Sequence, residues 1–194
     1  MSSNCRYYAH PTAVVESEDI GEQTKIWHFA HVRQGSKIGR NCNIGKSVYI
    51  DIGAEIGDNV KIQNFVSVYK GVRIEDDVFI GPSATFTNDL FPRAFVWDED
   101  HVVPTRICRG ASIGANATLV CGITVGEYAM IGAGSVVAED VPPFALVFGN
   151  PARQQGWVCR CGRRLERMAG QDENANKAFY KCTACGKEVE IREG

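Results

Sequence analysis

Aliphatic residues recur at every sixth position along most of the chain. The beat runs through Val14, Ile20, Ile26, Val32, Ile38, Ile44, Ile50, Ile56, Ile62, Val68, Ile74, Ile80 and Phe86, lapses, and resumes at Ile107, Ile113, Leu119, Val125, Ile131 and Val137. A helix spaces its apolar residues by three and four and a half-buried strand by two, so a strict six fits neither. The second place of each hexad is often glycine (Gly39, Gly57, Gly114) and the fifth small or branched (Ala30, Val48, Ala117). Glycine tolerates positive φ and close backbone approach, and small inward residues let stacked rungs pack without voids. The pattern predicts an all-β parallel solenoid in which three hexads make one triangular coil, about six coils in all.

The period fails in two places. Between Phe86 and Ile107 the register is lost across a long segment holding Phe91, Phe95 and Trp97 beside Arg93, Asp98 and His101. A long excursion from a compact repeat is usually functional, so 87–106 is read as a substrate-gripping flap, with a solvated loop as the plain alternative. After Val137 the repeat ends in a pair of prolines and a GNPAR stretch. Residues 1–141 then form the solenoid, 142–158 a cap and linker, and 159–194 a cysteine-rich tail.

Cys182 and Cys185 have the two-residue gap of a zinc knuckle, and Cys159 with Cys161 form a near-match with one intervening residue. Four thiolates would hold tetrahedral zinc with no open position, which predicts a structural site. The alternative is a metal-free hairpin docked on the solenoid through Trp157 and Phe179. The other cysteines, Cys5, Cys42, Cys108 and Cys121, are scattered along the repeat and read as structural.

A formal net charge of -2 and a pI near 6.1 over 194 residues argue against nucleic acid or an anionic membrane surface as the main partner. The opening segment has no apolar core of signal-peptide length and no stretch approaches a membrane span, so the expected location is cytoplasmic.

The hexads resemble those of the hexapeptide-repeat acyltransferases, and that resemblance implies a left-handed parallel β-helix. Four stretches resemble a narrower group: KIWHFAHV (25–32), KIQNFVSVYKGV (61–72), FIGPSATFTNDLFPR (79–93) and GASIGANATLVCGITVGEYAMIGAGSVV (110–137). With NPARQQGW, they are similar to bacterial nucleotide-sugar N-acetyltransferases that acetylate the 3-amino group of UDP-2-acetamido-3-amino-2,3-dideoxyglucuronate. The resemblance covers about residues 8–158, and the cysteine-rich end departs from the family pattern.

What the resemblance implies is acetyl transfer from acetyl-CoA to a UDP-linked amino sugar, for surface polysaccharide synthesis, by a homotrimer with its sites between subunits. Asn88, at the mouth of the flap, matches the family's active-site asparagine, although an asparagine leaving a strand is also a common turn former. Arg93 has the planar fork that suits a glucuronate carboxylate or a diphosphate. His28, His31, Lys61, Gln63, Asn64 and Tyr69 are expected on the nucleotide-sugar side. Gly114, Ala133, Asn150, Pro151 and Arg153 are expected toward coenzyme A. His101, in an acidic run, reads as solvated and stands as a second candidate base after the histidines of the first stretch. Two rival readings stay open: an acetyltransferase for a dTDP-3-amino-6-deoxyhexose, and a non-enzymatic zinc-ribbon scaffold.

Overall fold

The computed structural model describes residues 7–96, 101–168 and 177–192. Most rungs of the solenoid are strands of only two residues, one pointing out and one pointing in. In Lys61–Ile62, for example, the lysine is exposed and the isoleucine wholly buried. Rungs pair in parallel with those about eighteen residues later, as Lys61 does with Phe79 and Ile62 with Ile80, and across the flap the interval lengthens, as from Phe79 to Ser112. Three flat sheets result, with eight, seven and six parallel rungs. The solenoid is therefore longer than six coils, because rungs at Tyr8–Ala9 and Ala145–Gly149 lie outside the unbroken beat.

The first and fifth places of the hexads form one continuous core, from Ile20 and Ile26 through Ile131 to Val147. The beat starts one residue later than its spacing suggests. Val15, not Val14, pairs with Val32, and Val14 is exposed. The first coil is one residue short, since Ile20 follows Val15 by five.

The two turn positions divide the work that glycine was expected to do alone. The second place is where successive coils touch: a Cβ on Gly39 would lie 2.5 Å from the carbonyl carbon of Gly57. The fourth place carries the positive φ, and non-glycine residues such as Asn41, Ser47, Asn59 and Asn116 adopt it there. Asparagine enters this region readily because its short polar side chain bonds locally.

After the last coil, Ala145–Gly149 turns back through a cis Asn150–Pro151 peptide into Ala152–Trp157, which pairs antiparallel with it. The chain then enters a three-stranded antiparallel tail sheet made of Leu165–Arg167, Lys177–Cys182 and Glu188–Arg192. In the middle strand Ala178, Tyr180 and Cys182 are buried while Phe179 points away, 37% exposed. Tyr180, not Phe179, therefore docks the tail, with its ring 6.2 Å from that of Trp157. Among the described residues no helix is long and apolar enough to cross a membrane.

Candidate active site and metal centre

The flap leaves the turn between the second and third sheets. Its root is a closed hairpin: the Val103 N–H donates to the Asn88 carbonyl at 3.1 Å, and Asp89 bridges Val102. Two glycines on neighbouring coils make room for the crossing. A Cβ on Gly71 would sit 2.9 Å from Val102 Cγ1, and one on Gly122 would sit 3.0 Å from Val103 Cγ1. Asn88 is half-buried at this root, whereas Arg93 is exposed further out and donates to the carbonyl of its neighbour Pro92 at 3.1 Å. Leu90, Phe91, Phe95 and Val96 are exposed along the same stretch. Trp97 and Asp98 lie outside the described residues.

His101 departs from the expected solvated state. It is half-buried at the flap root, and its Nδ1 is enclosed without a hydrogen-bond partner. A buried ring nitrogen of this kind is costly unless a ligand engages it.

Next to the flap root, Arg33, Asp51, Tyr69 and Thr87 each follow a rung of the second sheet, in successive coils. Arg33 donates to the Tyr49 hydroxyl at 3.1 Å, and that hydroxyl donates to Asp51 Oδ1 at 2.9 Å. Glu16 closes the network, 3.2 Å from His31 Nε2 and 3.4 Å from Arg33 Nε. The hydrogen bond from His31, with those from the Gln34 backbone and the charge of Arg33, holds the Glu16 carboxyl below its ordinary range. Burial, reinforced by Asp51, raises Tyr49. Glu16, Arg33, Tyr49 and Asp51 escaped sequence reasoning. Their signal was the near-eighteen-residue spacing of outward positions, which stacks them.

The residues expected on the sugar side fall into two groups. His31, Tyr69, Asn88 and Arg93 lie on the second sheet and the turn that leaves it. His28, Lys61, Gln63 and Asn64 lie on the first sheet and the turn into the second. Within that second group, His28 stacks on His10 with centroids 3.5 Å apart, and the Asn64 side-chain oxygen accepts the Lys46 N–H at 2.8 Å, which stitches two coils.

Of the residues expected toward coenzyme A, Gly114, Ala133, Asn150 and Pro151 lie at the C-terminal end of that same edge, whereas Arg153 reaches toward Glu139, past the end of the second sheet, at 3.9 Å. Gly114 lies directly against Ala133, and the Gly149 N–H donates to Ser135 Oγ at 3.3 Å, which seats the Asn150–Pro151 turn above them. Arg153 follows on the returning strand and flanks a cleft of about 240 Å³ with Val137, Glu139 and Gln154.

In the tail, Cys159 Sγ lies 3.6 Å from Cys185 Sγ and Cys161 Sγ 3.5 Å from Cys182 Sγ, and all four sulfurs fall within 4.8 Å of one another. Tetrahedral zinc with bonds of about 2.3 Å sets its sulfurs about 3.8 Å apart, so the donor set fits the ion. The irregular first pair closes a turn one residue shorter than the second, each ending on a glycine of positive φ. Gly162 (φ 82) donates to the Cys159 carbonyl and Gly186 (φ 72) to the Cys182 carbonyl. Backbone N–H groups of Cys185 and Ala184 lower the Cys182 thiol to about 7, while burial raises Cys159 to about 11.

Residues 19–51, 53–88 and 104–139 match the family described as bacterial transferase hexapeptide (six repeats). Over 193 residues, 100% of this chain and 95% of the other, the sequence is 47% identical to dTDP-3-amino-3,6-dideoxy-alpha-D-galactopyranose 3-N-acetyltransferase of Aneurinibacillus thermoaerophilus. That alignment spans the cysteine-rich tail as well as the solenoid and flap. A shorter match, 53% identical over 60 residues, covers 29% of this chain and 13% of the bifunctional protein GlmU of Thermotoga petrophila. Among solved structures, galactoside acetyltransferase in complex with coenzyme A superposes with a TM-score of 0.56 at 28% identity, covering 64% of this chain and 66% of that one. The hexapeptide-repeat acetyltransferase VCA0836 of Vibrio cholerae, complexed with acetyl coenzyme A, gives 0.53 at 28% identity over 64% of this chain and 72% of that one.

Proposed function

Because the chain belongs to the bacterial hexapeptide-repeat transferase family, we propose that it is an acetyl-CoA-dependent N-acetyltransferase acting on the 3-amino group of a nucleotide-linked sugar. The observation that carries this reading is the full-length likeness to the Aneurinibacillus enzyme, which runs through the solenoid, flap and tail alike. It favours a dTDP-linked 3-amino-3,6-dideoxyhexose over the UDP-linked glucuronate that the shorter motifs suggested. The product would feed a surface polysaccharide.

The chemistry asks for positioning more than for a nucleophile on the protein. The neutral sugar amine attacks the thioester carbonyl, the oxyanion that forms needs a donor, and the nitrogen loses a proton as the thiolate departs. The Asn88 amide is the donor at the flap root, and the enclosed Nδ1 of His101 is the nearby acceptor. Gly114, Ala133, Asn150, Pro151 and Arg153 hold the coenzyme end. The two groups of sugar-side residues sit on different edges of the prism, which supports a homotrimer whose groove joins the flap edge of one copy to the first-to-second-sheet edge of the next. Cys159, Cys161, Cys182 and Cys185 hold a structural zinc ion, whose contribution is folding energy in a tail too small to supply its own core.

The deciding experiment is mass-spectrometric detection of acetylated product from acetyl-CoA, with the dTDP-3-amino-3,6-dideoxyhexose and the UDP-linked 3-amino glucuronate in parallel. Turnover of the deoxyhexose alone supports this reading. Turnover of the glucuronate alone reverses the substrate, and no turnover of either refutes both.

A further inference from the structure

The fourth place of each hexad demands positive φ, and most coils meet it with glycine or a short polar residue. On the edge between the first and second sheets this position reads Phe29, Ser47, Phe65, Ser83, Asn116 and Gly134 along the solenoid, all with φ between 55 and 69. A bulky aromatic residue is a poor choice for the left-handed region. Burial does not repay the strain here, because Phe29 is 60% and Phe65 57% exposed. Strained and exposed apolar residues mark places where something binds.

A second aromatic pair at such turns shows what an occupied version looks like. Tyr128 (φ 56) and Phe144 (φ 63) stack at 5.4 Å, and the guanidinium of Arg160, from the tail, lies 4.6 Å from the Tyr128 centroid. That pair is covered from within the chain. Phe29 and Phe65 instead flank Lys46, on the coil between them, whose ammonium lies 6.0 and 5.7 Å from the two ring centroids. The Asn64 side chain pins the Lys46 backbone at 2.8 Å, so the lysine leaves a fixed point of the edge.

From this arrangement we infer that the Phe29–Lys46–Phe65 edge seats a nucleoside diphosphate, its base stacked on Phe65 and its phosphates on Lys46. The assignment rests on the nucleotide-sugar reading above and specifies where the nucleotide lies. Coils rise by about 4.8 Å, which puts the two rings about 10 Å apart. A base stacked on one ring therefore faces the lysine and does not touch the other ring. Gln63, half-buried two residues before Phe65, offers an amide at the base's edge. Lys25 and Lys61 on the adjoining sheet face add to the positive field. An apolar partner fits the edge less well, because covering both rings would also bury the Lys46 ammonium, for which no described acidic side chain provides an ion pair. A ligand that is flat at one end and anionic at the other satisfies rings and cation together.

The test is calorimetric titration of dTDP and of UDP into the wild type and into Phe65→Leu, Phe65→Trp and Lys46→Gln, with coenzyme A titrated separately and oligomeric state followed by sedimentation. The expected result is about a 10-fold loss of nucleotide affinity for Phe65→Leu and for Lys46→Gln, retention in Phe65→Trp, and unchanged coenzyme A affinity. Leucine keeps apolar bulk without a π face, so the contrast with tryptophan separates stacking from mere contact. Wild-type affinity retained in both weakened variants overturns the assignment while leaving the transferase reading intact. Loss of the oligomer in Phe65→Leu with nucleotide affinity retained identifies the edge as a contact between copies and also overturns it. Failure of the wild type to bind either nucleotide overturns the assignment and the nucleotide-sugar reading together.

Discussion

The Val103 N–H donates to the carbonyl of Asn88 at 3.1 Å, so the backbone of Asn88 closes the flap while its side chain stays available for chemistry. The two roles can be separated by substitution. In Asn88→Ala the carbonyl survives, so melting temperature should stay within about 2 °C of the wild type while the acetylation rate falls about 100-fold, as for loss of one oxyanion donor. Steady-state kinetics beside a thermal melt would check this. An unchanged rate would leave Asn88 as a turn residue only.

The four-cysteine tail predicts about one zinc per chain in protein purified without chelator, a stoichiometry set by four ligands and no open position. Replacing Cys182 and Cys185 by serine should abolish the metal and lower the melting temperature, and chelation of the wild type should do the same. Elemental analysis with differential scanning calorimetry reads both. Metal-free wild-type protein with the same melting temperature would contradict the site.

Docking of the tail through Tyr180 predicts an asymmetry between adjacent aromatics. Tyr180→Ala should cost about 3 kcal/mol, as expected for a buried aromatic side chain. Phe179→Ala, on the exposed side of the same strand, should cost less than about 1 kcal/mol. Denaturant titration of the two variants would decide it, and equal losses would mean that the tail packs through both faces.

Glu16 predicts a pH-dependent contribution. Its carboxyl is held below the ordinary value of 4.5 by His31, the Gln34 backbone and Arg33. A depressed carboxylate stabilises the fold above its ordinary value, and that contribution is lost as pH falls through the lowered one. Glu16→Gln should therefore melt earlier than the wild type at pH 7, with the gap closing below pH 4.5. A gap of constant size down to pH 3 would show that the effect is not ionic.

The hexad period by itself determined the parallel solenoid, its inward residues and the place where the flap departs. Burial acts on one residue of each two-residue rung, and any break in that constraint is visible as a break in the beat. The cysteine spacing likewise announced the four-thiol cluster, since Cys159, Cys161, Cys182 and Cys185 meet through two local turns that short sequence motifs encode.

Only the tertiary structure decided which outward residues meet. Outward positions carry no hydrophobic constraint, so any polar residue satisfies the pattern, and neighbours are chosen by how the coils stack and how long each one is. Val14 fell out of register because one coil is a residue short. Tyr180 replaced Phe179 because strand alternation turns one side chain toward Trp157 and the next away. The network of Glu16, Arg33, Tyr49 and Asp51, and the strained edge of Phe29 and Phe65, exist only because residues nearly eighteen or thirty-six apart in sequence become neighbours when coils pile one on another.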